Sequence, residues 1–435
     1  MPAFVDAQQS FDLMSKLRAD LVIYHASRVI TLAGPARPRR GHEMQETRPI
    51  ADGAVAICGG RIAAVGPEAQ IAAAFTAEHL FDAGGGLVTP GLIDPHTHSV
   101  YAGSREDEWQ RRLAGESYLE ILRSGGGIQA TVRAVRAADE ASLRQAAERR
   151  HRQRLAHGTT TVEIKTGYGL DAENELKMLK VIDKLGKNGP LDIVGTFLGA
   201  HVVPKNISRQ AYLDWLTGDA LEETRPYARF FDVFCEQEAF SAQETERLLR
   251  AAANAGFRLK AHVGQFHSLG GAHIAAELGA VSIDHCEHLS DAEIKAMAAA
   301  GTIAVLLPGA SFFLGREQYA NARRLIEAGV PVALATDFNP GSCPCFSMQM
   351  ILALACLKLQ MSAAEALTAS TLNAAYAIDL GDRLGSLEPG KQADLAIWQV
   401  ERLELLPYHF GCNLLYAVVK NGRIILGPDF FKEDL

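Results

Sequence analysis

The sequence predicts an α/β protein, a (β/α)8 barrel of the TIM type joined to a small β-sandwich domain formed by both chain termini. Three observations predict it. Through the middle of the chain a helical stretch stops at a glycine and an apolar strand follows, again and again. Four strands marked out in this way and four apolar candidates before them make eight over about 290 residues, which suits a closed barrel. The two ends of the chain echo each other in short alternating segments.

Taken in order, Ala19-Asp20-Leu21-Val22-Ile23 returns as Ala393-Asp394-Leu395-Ala396-Ile397, and Gly60-Arg61-Ile62 returns as Gly422-Arg423-Ile424. Alternating apolar runs split by Gly and Asn turns read as strands. Residues 1–88 and 384–435 are therefore assigned to one composite domain, and 89–383 to the barrel. Between the first strands, Gly34 to Pro49 is rich in Pro and Arg and reads as a loop.

The first barrel strand is expected at Leu92, followed by Thr160–Lys165, Asp192–His201 and Phe230–Cys235. The next four carry the helix-stop rhythm. Ser241 and Glu244 have capping-box spacing, Gly256 stops that helix, and Phe257–His262 is the strand. Ala275–Leu278 stop at Gly279 before Ala280–Asp284. Ser290 and Glu293 cap a helix that stops at Gly301 before Thr302–Leu307. Leu325–Ala328 stop at Gly329 before Val330–Thr336. Apolar strands alternating with helices mark a parallel sheet buried on both faces. A doubly wound sheet is the rival, but it wants a Gly-rich phosphate turn after its first strand. Gly125-Gly126-Gly127 lies well past that point.

Composition narrows the partners. A chain of 435 residues with 48% hydrophobic and 22% charged residues is ordinary for a globular enzyme. Its net charge of −8, with no long basic run, argues against nucleic acid or anionic membranes as the main partner and says little about small-molecule substrates. The start, Met1-Pro2-Ala3-Phe4-Val5-Asp6, lacks the pattern of a secretory signal, and no run of about 18 apolar residues could cross a membrane. The seven cysteines are odd in number and scattered, and Cys343 and Cys345 are too close for a CxxC site, so plain thiols are expected. The expected location is the cytoplasm.

Chemistry gathers at the strand ends. His96 and His98 follow the extended segment Leu87–Ile93, and on a strand residues i and i+2 share a face. An isolated His-x-His is usually two loop histidines. Here His262, His285 and Asp337 also end strands, and barrel active sites lie at the C-terminal ends of their strands. Imidazoles with a carboxylate form a donor set for zinc, a similar divalent ion, or iron.

Thr89-Pro90-Gly91-Leu92-Ile93-Asp94-Pro95-His96-Thr97-His98 resembles the signature of the amidohydrolase superfamily. Tyr101–Arg105, Val162–Leu170, Ala335–Ser342, Gly125–Ile128 and Leu406–Gly411 together are similar to its imidazolonepropionase family, from about residue 19 to about residue 425. The resemblance implies hydrolysis of the cyclic amide of 4-imidazolone-5-propanoate to N-formimidoyl-L-glutamate in histidine degradation, with a homodimer usual for the family. It implies one zinc or iron ion on His96, His98, His262 and Asp337, with Asp337 also taking the proton from water. His285 is expected to orient that water or steady the oxyanion, a fourth histidine ligand being the alternative. Lys165 is not expected to be a ligand.

For the substrate, the resemblance implies Arg105 on the propionate, Tyr168 and His201 as contacts, Tyr118 as a further hydroxyl, and Gln265 on the ring edge. Asn339, Gly341 and Ser342 would bind ring or carboxylate through side chain and backbone N–H. The chain departs from the family at Gly264, where an acidic residue is frequent. A deaminase or another cyclic-amide hydrolase of the superfamily is the alternative, although His262-Val263-Gly264-Gln265 offers no extra Glu. A barrel scaffold without catalysis would have lost its ligand positions, and all are filled. His267, His288 and His409 are read as loop or packing residues.

Overall fold

The computed structural model describes residues 16–116, 120–121 and 124–428. Eight parallel strands form the barrel: β6 (Leu92–Asp94), β7 (Thr159–Lys165), β8 (Asp192–Ala200), β9 (Phe230–Cys235), β10 (Arg258–Val263), β11 (Ser282–His285), β12 (Ile303–Leu306) and β13 (Val332–Leu334). They neighbour one another in chain order from β6 to β13. The ring closes beyond the named strands, where the Asp337 amide donates to His96 O (3.1 Å) and the His98 amide to Phe338 O (2.9 Å). The seam of the barrel is thus made by the segments that carry the predicted site.

The strands form where the helix-stop rhythm placed them, with ends shifted by a residue or two. Gly256, Gly279, Gly301 and Gly329 all take positive φ, between 72° and 83°, which reverses the chain after each helix without a Cβ clash. Ser241 with Glu244, and Ser290 with Glu293, form complete capping boxes. Inside the barrel, Ile93, Val194, Phe230, Ile303, Val305 and Ala333 make an apolar plug. This plug holds the strands together and leaves the polar chemistry to the upper end.

Both termini contribute to one domain, as expected, and their strands form a mixed sheet of eight. Its order is β16 (Arg423–Leu426), β15 (Leu415–Lys420), β14 (Leu395–Trp398), β5 (Leu87–Pro90), β1 (Leu17–Ile30), β2 (Pro49–Cys58) and β3 (Arg61–Pro67), with β4 (Phe75–Asp82) also on β1. Leu21, Ile23, Val55 and Ile57 from one end share an apolar cluster with Leu395, Ile397, Ala417 and Val419 from the other. The sequence echo has a physical basis. Asp20 accepts from the Gly59 amide (2.6 Å) and Asp394 from the Asn421 amide (2.9 Å), so each Ala-Asp-Leu strand braces the turn of the hairpin beside it.

Two local features differ from expectation. The apolar run Leu87–Ile93 is two strands, β5 in the terminal sheet and β6 in the barrel. Between them the Gly91 amide donates to Asp394 O (3.0 Å), and Thr160 packs against the α-carbon where any Cβ would collide. The Gly34–Pro49 stretch is no plain loop. It carries a 3-10 turn, Gly41–Gln45, with Met44 fully buried in the barrel's core cluster. Asn373 brackets Arg39, accepting from its amide (2.8 Å) and donating to its carbonyl (2.9 Å).

Candidate metal centre

His96 and His98 leave β6 side by side because the closing bridge Thr97–Phe338 keeps that segment extended. β10 delivers His262, β11 ends at His285, and Asp337 follows β13. All five are buried, none more than 3% exposed. His96 Nε2 and His98 Nε2 lie 3.4 and 3.6 Å from the same Asp337 oxygen, Oδ1. The His96 ring centre is 4.5 Å from that of His262 and 5.8 Å from that of His285. Donor atoms of His96, His98 and Asp337, and of His96, His262 and His285, lie within 4.8 Å of one another. His285 therefore stays open as ligand or neighbour.

The donors are left free for a cation. His96 Nε2 and His262 Nε2 are buried without a hydrogen-bond partner, which is costly unless something binds them. Burial pushes the His96 and His98 imidazoles well below their ordinary pKa, so both are neutral lone-pair donors. Burial also lifts Asp337 to about 6, against the pull of His285 and His262. A cation beside it would reverse that penalty.

Beneath the ligands lies a charged layer that residue types alone did not reveal. Asp284 Oδ2 binds His96 Nδ1 (2.7 Å), and Asp232 binds His262 Nδ1 (3.0 Å). Each carboxylate fixes the tautomer that turns Nε2 toward the centre. Lys165 ties the layer together, reaching Asp232 (2.7 Å), Glu163 (2.9 Å) and Asp284 (3.1 Å), while Lys260 lies 3.4 Å from Glu163. Lys165 is thus fully engaged and is no ligand. With Asp337, four carboxylates face two ammonium groups, a balance that a bound divalent ion would complete. The signal was present in the sequence: Asp232 interrupts an apolar strand, and Asp284 precedes His285 at a strand end. A buried acid on a barrel strand requires a partner.

Of the expected substrate residues, Tyr168 and His201 lie against His98, and Asn339 and Ser342 against Asp337. The His201 ring stacks on His98 at 5.6 Å, and its Nδ1 bonds Gly167 O (3.1 Å). Burial drops its pKa to about 3, so Nε2 is a neutral acceptor. Tyr168 lies 5.6 Å from the His98 ring, and burial, with Asp337 nearby, holds its phenol protonated as a donor. Arg105 is nearly buried, its guanidinium against the α-carbon of Gly341. Gln265 is half-buried beyond β10, and its carbonyl accepts from Arg316 (3.2 Å).

Asn339 closes its own loop. Its oxygen accepts from the Gly341 and Ser342 amides (2.8 Å each), and its nitrogen donates to Asp337 O and Ser342 Oγ (2.7 Å each). Ser342 Oγ also lies 3.3 Å from Asp337 Oδ2. Tyr118 lies outside the described residues. His267 bonds Glu236 (2.7 Å), the His288 amide donates to Gly264 O (2.8 Å), and His409 rests on Tyr408, so none of the three meets the centre in these contacts. His285 and Asp337 have positive φ, 82° and 52°, and such strain in non-glycine residues is typical of functional positions. A separate cavity of about 700 Å³, lined by Arg225, Arg229 and Arg258, opens at the other end of the strands, away from this chemistry.

The arrangement is that of a hydrolase centre with a metal cofactor and a small-molecule substrate, and known proteins agree. The model of the Amidohydrolase family matches residues 87–425. An imidazolonepropionase of Geobacillus thermodenitrificans (strain NG80-2) is 47% identical over 415 residues, covering 93% of this chain and 98% of that protein. One of Alkaliphilus metalliredigens (strain QYMF) is 44% identical over 416 residues, covering 94% and 99%. Among solved structures, a zinc-bound adenosine deaminase from Xanthomonas campestris superposes with a TM-score of 0.71 at 21% identity, covering 95% of this chain and 94% of that one. Guanine deaminase of E. coli gives a TM-score of 0.68 at 18% identity, covering 93% and 98%. These two share the fold. By its site and its relatives, the chain belongs to the amidohydrolase family and, within it, to the imidazolonepropionases.

Proposed function

We propose that the chain hydrolyses the ring amide of 4-imidazolone-5-propanoate, yielding N-formimidoyl-L-glutamate, with one zinc or iron ion per subunit. The observation that carries this reading is a nearly buried arginine, Arg105, on the rim of a buried His-His-His-Asp set, in a chain 47% identical to an imidazolonepropionase. When bound, such an ion lowers the pKa of a water to roughly 7 and polarises the carbonyl.

The chain's own groups account for the rest. Asp337, its Oδ1 facing His96 Nε2 (3.4 Å) and its Oδ2 3.3 Å from Ser342 Oγ, is placed at the centre to accept the proton of the attacking water. His285 lies beside it with its pKa raised: burial pulls it down, but Glu287, 3.6 Å away, and Asp337 outweigh that. As a donor it is suited to the developing oxyanion. Water adds to the carbonyl carbon and the ring C–N bond breaks. The nitrogen leaves with the proton Asp337 held, and the carbonyl becomes the new carboxylate. Tyr168, 5.6 Å from the His98 ring and held protonated by burial, offers a phenol hydroxyl to the substrate. Arg105 takes the propionate, where a planar fork matches a carboxylate.

The test is purification with metal analysis, followed by loss of imidazolone absorbance. Turnover at one ion per subunit is expected. A fully loaded protein that leaves the imidazolone untouched defeats the substrate assignment.

A further inference from the structure

Arg105 stands just ahead of the short helix Glu106–Leu113, and a free arginine there would sample many rotamers. The structure shows what restrains it. Glu108 Oε2 accepts from Arg105 Nε (3.0 Å) and Nη2 (2.8 Å), and the two side chains are only 14% and 13% exposed. The other oxygen, Oε1, accepts from the Gly127 amide at 2.9 Å. The carboxylate is therefore gripped at both ends and cannot rotate.

The glycine triplet Gly125-Gly126-Gly127, which has no part in the chemistry above, makes that grip possible. Gly127 has φ 69° and ψ −154°, a backbone state essentially reserved for glycine. A Cβ on Gly126 would stand 2.7 Å from Ile121 Cγ2 and 3.0 Å from Glu108 Oε1. Only glycines let the chain bring an amide onto the buried carboxylate. On the far side, the guanidinium covers the α-carbon of Gly341, where no side chain would fit.

We propose that Glu108, seated on Gly127, is the positioning residue for Arg105 and so decides how the substrate's carboxylate is read; this rests on the substrate reading given above. Glu108 occupies the Nε edge of the guanidinium and leaves the Nη1–Nη2 edge for a bidentate carboxylate. It also offsets the arginine's charge, so recognition depends on fork geometry rather than on attraction to any anion. Glutamine cannot replace it, because both oxygens accept and an amide offers one acceptor and one donor.

The experiment compares wild type with Glu108→Gln and Glu108→Asp, each alone and in an Arg105→Ala background, at matched metal content. Loss of a charge-assisted contact should raise KM by about tenfold or more, with kcat within about twofold. In the Arg105→Ala background Glu108→Gln should add nothing. On an imidazolone bearing ethyl in place of the propionate, Glu108→Gln and wild type should turn over alike. Additive losses, an equal loss on the ethyl compound, or an unchanged KM in both Glu108 variants would overturn the proposal. Failure of the substrate reading looks different, since wild type itself would then not hydrolyse the propanoate.

Discussion

At the scale of single residues, the centre depends as much on what grips the histidines as on the histidines. His262→Ala removes a buried Nε2 that has no other partner, and metal and activity should vanish together. Full metal occupancy in that variant would sink the ligand set. Asp284→Asn tests the layer beneath. The amide can still bond His96 Nδ1 but loses the charge, and metal affinity should fall by about 10–100-fold in a chelator competition. Lys165→Met would leave three buried carboxylates without their shared cation, a loss of about 3–5 kcal/mol in denaturant unfolding. These partners were only half legible. Buried acids on apolar strands could be seen, but which histidine each one holds depends on neighbouring strands, and nothing local encodes that.

Single elements were the most legible level, because helix stops and caps are local chemistry. The helix Ala242–Asn254 starts at a complete capping box, and Arg209 clamps the same Glu244 at 2.6 and 2.7 Å. Chiefly through Arg209, the Glu244 carboxyl is held at about 2, below its ordinary 4.5. A depressed value means the contribution is complete above pH 4.5 and is lost as pH falls through about 2. Glu244→Ala should therefore cost about 1 kcal/mol at neutral pH. The gap to wild type should shrink steadily in unfolding curves taken from pH 4.5 downward, and a gap independent of pH would refute the linkage. The Gly34–Pro49 segment shows the limit of local reading. Its Pro and Arg content looks like a loop, and only the pocket for Met44 and the Asn373 bracket order it.

For the whole molecule, the terminal sheet and the barrel are joined by packing as well as by chain. Trp398, fully buried, lies against Gly158 at the base of the barrel and donates to Thr89 Oγ1 (2.9 Å). Trp398→Ala should cost about 3–5 kcal/mol by cavity formation. If it lowered the stability of the sheet while barrel fluorescence and metal binding melted unchanged, the two parts would be independent. Stripping the metal should also lower the melting temperature. An ion at about 100 times its Kd stabilises by about 2.7 kcal/mol, and re-addition should restore it in a calorimetric scan.

The sequence alone determined the helix-stop rhythm, the echoed termini, and the placement of His96, His98, His262, His285 and Asp337 at strand ends. These follow from periodicity, capping and strand-end placement, which are short-range. Only the tertiary structure decided that Asp232, Asp284 and Lys165 lie under the ligands, that Asn339 spends its amide on its own loop, and that Glu108 reaches Gly127. The physical reason is range. A charge's partners inside a barrel come from strands tens of residues away, and closing the ring is what brings them together.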